Sequence, residues 1–280
     1  MLPSFPDCYI QVRNIRTRYW NIGSHGNVII LIHGIGSGLE TWALNVEALA
    51  QHHQVYVLDL VGSGRSDKPL GSYSLVALAE FVNAFANVLN LDRFSLMGNS
   101  LGGGVALQFA LSYPQQVEKL ILVNSLGLGR EIAWSLRMAN LPWVDRLYKP
   151  SWSSTALTLQ QSVADTSLIT DEWIDIFYKI LSLPGAPEAL IAQIRTHVGW
   201  TGVRAEVYQP IADRLPTLTM PILIVWGEQD QILPIAHAHF ARQRLPNAQL
   251  QLFDRCGHWS HFERAAEFNL RVADFLTRSA

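Results

Sequence analysis

A chain of 280 residues, 49% of them hydrophobic, is long for one plain domain but ordinary for an α/β domain carrying an insertion, and it can bury a large core. A formal net charge of -2 without a basic run or an acidic tail argues against nucleic acid as a partner. No uninterrupted apolar run reaches the ~18 residues of a membrane span, and the N-terminus "MLPSFPDCYI" has no basic region followed by an apolar stretch, so no signal peptide is expected.

Two strands are predicted at the start, in "YIQV" and "IRTRYWNI". "NVIILIHG" is a continuous apolar run ending in His33-Gly34, and "QVYVLDLVGSGRSDKP" is a strand that ends at Asp59 in a glycine-rich loop. In that loop Asp59, Gly62 and Gly64 read as turn-makers. "SLVALAEFVNAFANVLNL" repeats its apolar residues at helical spacing. Then come the strand "RFSLMG", a helix after Ser100, and the strand "VEKLILVN". Apolar strands alternating with helices predict a parallel sheet covered on both faces. From about 126 to 215 the pattern is helical, clearest in "EIAWSLRMANL", "TDEWIDIFYKIL" and "APEALIAQIRTHV", and no strand is expected there. The strand–helix rhythm returns in "PILIVWGEQD" and "AQLQLFDRCGHW", and "EFNLRVADFL" closes the chain as a helix. The division expected is a core of 1–125 and 216–280 with a helical insertion, 126–215.

The stretch Gly98-Asn99-Ser100-Leu101-Gly102 stands between a strand and a helix and matches G-x-S-x-G. Small residues on either side allow a turn sharp enough to push the Ser100 hydroxyl over the sheet edge. The plainer alternative is a helix cap. A serine nucleophile needs a base, and the base an orienting acid, in the chain order Ser, acid, His. Asp230 and His258 follow apolar strands in that order. Glu228 is a nearby rival for the acid and His261 for the base. After "LILVN", another place for an acid, stands Asn124. For an oxyanion, the expected donors are the backbone amides of Leu101 and of Ile35, in the glycine-rich "HGIGSG". His33 reads as a hydrogen-bonding loop residue. Neither the histidines nor the two cysteines, Cys8 and Cys256, show metal-ligand spacing, and no metal or cofactor is expected. The cysteines leave room for one disulfide but fit a reducing, cytoplasmic setting better.

"HGIGSG", "DLVGSGRSDKP", "GNSLGG", "WGEQD" and "CGHW", in this order, resemble the α/β-hydrolase superfamily over essentially the whole chain. The resemblance implies an eight-stranded, mostly parallel sheet with 126–215 as a helical cap over the active site. Ser100 separates the chain from haloalkane dehalogenases and epoxide hydrolases, which use an aspartate nucleophile. Asn99 and "CGHWSHFERAAEFN" resemble the meta-cleavage-product hydrolases, which cleave a C–C bond in vinylogous diketone acids. That resemblance implies Asn99 and Trp259 near the substrate. It departs at Ser37, where the subgroup has proline, and no motif selects its substrate-assisting cap arginine among Arg137, Arg146, Arg195 and Arg204. Five of the nine tryptophans, Trp134, Trp143, Trp152, Trp173 and Trp200, lie in the insertion, and Met138, Trp143 and Trp173 are expected to face an apolar or aromatic small-molecule substrate. The favoured reading is a serine hydrolase of C–C bonds. An ester, thioester or lactone hydrolase, a cofactor-free haloperoxidase, and a ligand receptor on a hydrolase fold are the alternatives. Oligomeric state has no signal in the sequence.

Overall fold

The computed structural model describes residues 3, 5–245 and 247–278, with the side chain of Arg146 also outside the description. The opening strands β1 (Cys8–Val12) and β2 (Ile15–Ile22) precede β3 (Val28–Ile32). The chain continues through α1 (Ala43–Ala50), β4 (Gln54–Leu58), α2 (Leu75–Val88), β5 (Phe94–Asn99), α3 (Leu101–Ser112) and β6 (Val117–Val123). The insertion follows, with α4 (Trp134–Arg137), α5 (Val144–Leu147), α6 (Trp152–Gln160), α7 (Asp171–Leu181), α8 (Ala186–His197), β7 (Val198–Gly199), β8 (Gly202–Val203) and α9 (Ala205–Arg214). After it come β9 (Ile222–Gly227), α10 (Ala236–Arg244), β10 (Gln249–Phe253), α11 (Ser260–Glu263) and α12 (Ala265–Thr277).

Eight strands form one sheet in the order β1-β2-β4-β3-β5-β6-β9-β10, parallel except where β2 pairs with β1 and β4. The continuous apolar strands serve both faces, because side chains alternate along a strand. In β3, Ile30 and Ile32 enter the core cluster under α2 and α3, while Ile29 and Leu31 enter the one under α1 and α12. A separate cluster around Trp173, Phe177, Trp259 and Phe262 joins the insertion to the end of the sheet.

Two expectations need correcting. Residues 198–203 form a small antiparallel hairpin, β7–β8, inside the segment expected to be all helical. Strands of two residues are too short for any alternation to show. "EIAWSLRMANL" also does not make one helix: α4 covers only Trp134–Arg137 and passes into a 3-10 turn at Met138–Asn140.

The parallel pairings of β3, β5 and β6 bring Ile32, Gly98 and Leu122 into line, so Ser100 emerges at the carboxyl edge of the sheet. The turn there admits no side chains on its flanks. A Cβ on Gly98 would lie 2.1 Å from Gly102 O, and one on Gly102 would lie 2.4 Å from Ile32 O. Backbone cannot step aside as a side-chain tip can. Gly102→Ala is therefore expected to lower unfolding stability by about 3 kcal/mol. Gly71→Ala, with nothing within 4 Å of its new Cβ, should be nearly neutral, and urea melts of the two compare them.

Candidate active site

Ser100 sits at φ 56° and ψ -118°, a backbone conformation that costs a non-glycine residue of order 1–3 kcal/mol. Surrounding hydrogen bonds hold it there. Its N–H donates to Val123 O (3.0 Å), and its carbonyl accepts from Gly104 N (3.1 Å) and Leu126 N (2.9 Å). The serine makes no side-chain cap on α3, which removes the plainer reading of this residue.

Asp230 and His258 come together at the ends of β9 and β10. His258 Nδ1 donates to Asp230 Oδ2 over 2.8 Å. The same oxygen accepts from Asn124 Nδ2 (2.8 Å), and Oδ1 accepts from the amides of Ile232 (2.8 Å) and Leu233 (3.0 Å). A carboxylate held by four donors is oriented, and it in turn selects the tautomer that carries its proton on Nδ1, leaving Nε2 as a base. Asn124 is itself held at φ 46°, with Oδ1 accepting from Ser260 Oγ (2.6 Å). Where the sequence offered a second place for an acid, the amide braces the acid at the other place. Glu228, the rival acid, is exposed.

Ser100 and His258 border one cavity of ≈ 280 Å³, and among the described residues no hydrogen bond joins them. Ile35 and Gly36 form part of its wall. The amides of Leu101 and Ile35 donate no hydrogen bond among the described residues. The Ile35 loop is held by His33, whose Nδ1 donates to Gly34 O (2.7 Å) while Nε2 accepts from Leu60 N (3.1 Å). Burial pushes the His33 pKa down to about 4, so this ring stays neutral. Behind the loops, Asp59 accepts from the amides of Leu39 and Arg65, each over 2.8 Å, and pairs with buried Arg18.

His261 is not part of this arrangement. It is fully buried against Trp42, ring centroids 4.2 Å apart, with both ring nitrogens unpartnered among the described residues. Burial pushes its pKa down to about 3. An unfolded histidine titrates at about 6.5, so between those values the unfolded chain binds a proton that the folded chain refuses, and stability falls as pH falls. His261→Phe keeps the ring and removes the titration. It should retain turnover, and at about pH 4.5 it should gain roughly 2 kcal/mol over wild type beyond any gain at pH 7, measured by urea unfolding.

The remaining expected contacts divide. Asn99 borders the cavity, but its Nδ2 donates to Val123 O and His258 O, 3.2 Å each, so its donors serve backbone. Trp259 and Met138 also border it. Trp143 and Trp173 do not. Val144, which opens α5, and Tyr148, the residue just after it, line the cavity, while Trp143, just before the helix, is half exposed and does not border it. Trp173 is buried in the satellite core, 4.9 Å from the Phe262 ring. Leu136 and, from α8, Leu190, Ile191 and Ile194 complete much of the apolar wall and were not singled out in the sequence. Their helical spacing is equally that of core residues. Of the four candidate cap arginines, three donate to backbone: Arg195 to Ala139 O (2.8 Å) and Leu141 O (2.9 Å), Arg204 to Arg195 O (2.9 Å), and Arg137 to Ile132 O (3.1 Å). The side chain of Arg146 lies outside the described residues.

Residues 27–265 match the sequence family described as the alpha/beta hydrolase fold. The chain belongs to that family. An uncharacterized protein of Mycobacterium tuberculosis is 35% identical to this α/β hydrolase over 271 residues, covering 92% of this chain and 78% of the relative. The 2-hydroxy-6-oxo-2,4-heptadienoate hydrolase of Pseudomonas putida is 31% identical over 267 residues, covering 94% and 93%. Among solved structures, the meta-cleavage product hydrolase of Pseudomonas fluorescens IP01 superposes with a TM-score of 0.82 at 28% identity, covering 96% of this α/β hydrolase and 97% of that chain. No helix of the described residues is long and apolar enough to cross a membrane.

Proposed function

We propose that this α/β hydrolase uses Ser100, His258 and Asp230 to cleave the C–C bond beside a ketone in a small apolar or aromatic dienone acid of the meta-cleavage type. The observation that carries the reading is the Asp230–His258 hydrogen bond facing a strained serine across one largely apolar cavity. The relatives that hydrolyse 2-hydroxy-6-oxo-dienoates support the substrate class. Residues 126–215 act as the cap, with α5 and α8 supplying wall to the cavity. Free thiols at Cys8 and Cys256 favour a cytoplasmic setting.

In this scheme His258 Nε2 removes a proton from Ser100 Oγ, or from water, as the oxygen attacks the ketone carbon. Asp230 stabilises the resulting imidazolium. The Leu101 and Ile35 amides take the oxyanion, and the N-terminus of α3 adds its partial positive charge. The leaving carbon departs only if the substrate already holds an electron sink, which ketonisation of the dienol provides. His258 returns the proton to that carbon, and on the serine route one water then hydrolyses the acyl-serine, so each turnover consumes a single water.

A second reading, an ester or lactone hydrolase, draws support from the polar side chains described in the wall. Ser37, Ser135, Thr158 and Gln161 are uncharged, as suits a neutral acyl substrate. Single-turnover spectroscopy with a dienone acid beside medium-chain nitrophenyl esters tests the two. Faster loss of the dienone chromophore supports C–C cleavage. An inert dienone beside rapid ester turnover replaces it with the second reading.

A further inference from the structure

The loop that carries His258 does not rest on the sheet alone. Glu263, half-buried at the end of α11, accepts four backbone hydrogen-bond contacts. Its Oε2 takes the amide of Gly257, the residue before His258, over 2.6 Å. Its Oε1 takes the amides of Ala164 (2.8 Å) and Asp165 (2.7 Å), in the turn after α6, and Oε2 also reaches Ala164 N at 3.1 Å. One carboxylate therefore joins the base loop to the helical insertion. Two further contacts follow the same seam. Trp259 N donates to Ser162 O over 3.0 Å. A Cβ on Gly257 would stand 2.8 Å from Ala164 N and from Val163 Cα, so the two backbones meet where only glycine fits. The last turn of α6 and the turn after it, which carry this seam, also border the cavity through Thr158, Gln161 and Ser162.

We propose that Glu263 is a positioning residue: it sets the His258 imidazole against Asp230 and Ser100 by fastening its loop to the insertion, so that the placement of the cap and the geometry of the base are one variable. This rests on the Ser100–His258–Asp230 reading. The carboxylate is needed for its two acceptor oxygens. Glutamine has one, and its NH₂ must face either the Gly257 amide or the Ala164 and Asp165 amides, donor against donor.

The test measures the rate of Ser100 labelling by a fluorophosphonate, kcat/KM on a nitrophenyl ester, and the far-downfield proton resonance of the His258 Nδ1–H···Asp230 hydrogen bond. Glu263→Gln should slow labelling and lower kcat/KM by about a hundredfold through kcat, and shift or broaden the resonance. Gln193→Ala serves as comparison, because Gln193 Nε2 ties the insertion to Gly62 O (3.0 Å) at a different point. It should lose stability yet keep both the labelling rate and the resonance. Wild-type labelling together with an unchanged resonance in Glu263→Gln overturns the proposal. Should that variant not fold, Glu263→Asp replaces it. It keeps both oxygens but cannot span both sets of amides, so about a tenfold loss is expected, and wild-type behaviour overturns the proposal equally. A wild-type protein that does not label rejects the Ser100 reading, while the resonance, which needs no probe, still decides the role of Glu263.

Discussion

Ser100→Ala is expected to lower kcat by at least about 10⁴-fold and to abolish fluorophosphonate labelling, with little change in stability. Among the described residues the serine oxygen forms no hydrogen bond, so its removal leaves no buried partner unsatisfied. Alanine carries the same Cβ and meets the same strain at φ 56°. Ser100→Gly separates chemistry from conformation. Glycine adopts that φ freely, so this variant should be as inactive as Ser100→Ala and more stable than it. Thermal melts beside active-site titration read both effects. A Ser100→Ala protein that still turns over at the wild-type rate would reject Ser100 as the nucleophile.

The second large effect is expected at Asp230. Its Oδ1 accepts two amides and its Oδ2 accepts both Asn124 and His258. In the Asp230→Asn variant the new side chain would keep its carbonyl on the Ile232 and Leu233 amides and turn an NH₂ toward His258 and Asn124. The imidazole must then accept at Nδ1 and carry its proton on Nε2, which is the wrong tautomer for a base. A loss of about 10⁴-fold in kcat is the expected scale for such a change. Stability should also fall by about 1–3 kcal/mol, because the Asn124 amide now faces another donor. Glu228→Gln, on an exposed side chain of the same loop, should change neither quantity. The opposite ranking of the two variants would move the acid to Glu228.

Much of the fold was legible because its causes are local. The alternation of apolar strands with amphipathic helices marks a sheet covered on both faces, and β3 divides its residues between the two cores as that period requires. The sharp turn at Ser100 was legible because it excludes side chains at Gly98 and Gly102, a constraint that fits in five residues. The hairpin at 198–203 was not, since each of its strands spans a single period of the two-residue pattern, too little for a repeat to show.

Within the site, the G-x-S-x-G turn nominated Ser100, chemistry required a base and an acid to go with it, and chain order with strand ends nominated Asp230 and His258. Only tertiary structure decided that Asn124 braces Asp230, that His261 stacks on Trp42 away from the cavity, and that Trp173 belongs to a core while Leu190 belongs to a wall. Glu263 reaches across 99 residues to the Ala164 amide, and nothing in the residues around it records that distance. Periodicity and steric exclusion act between neighbours in the chain and are written there. The direction a buried side chain takes, and the partner it meets, depend on which distant segments the sheet and the insertion bring to its door.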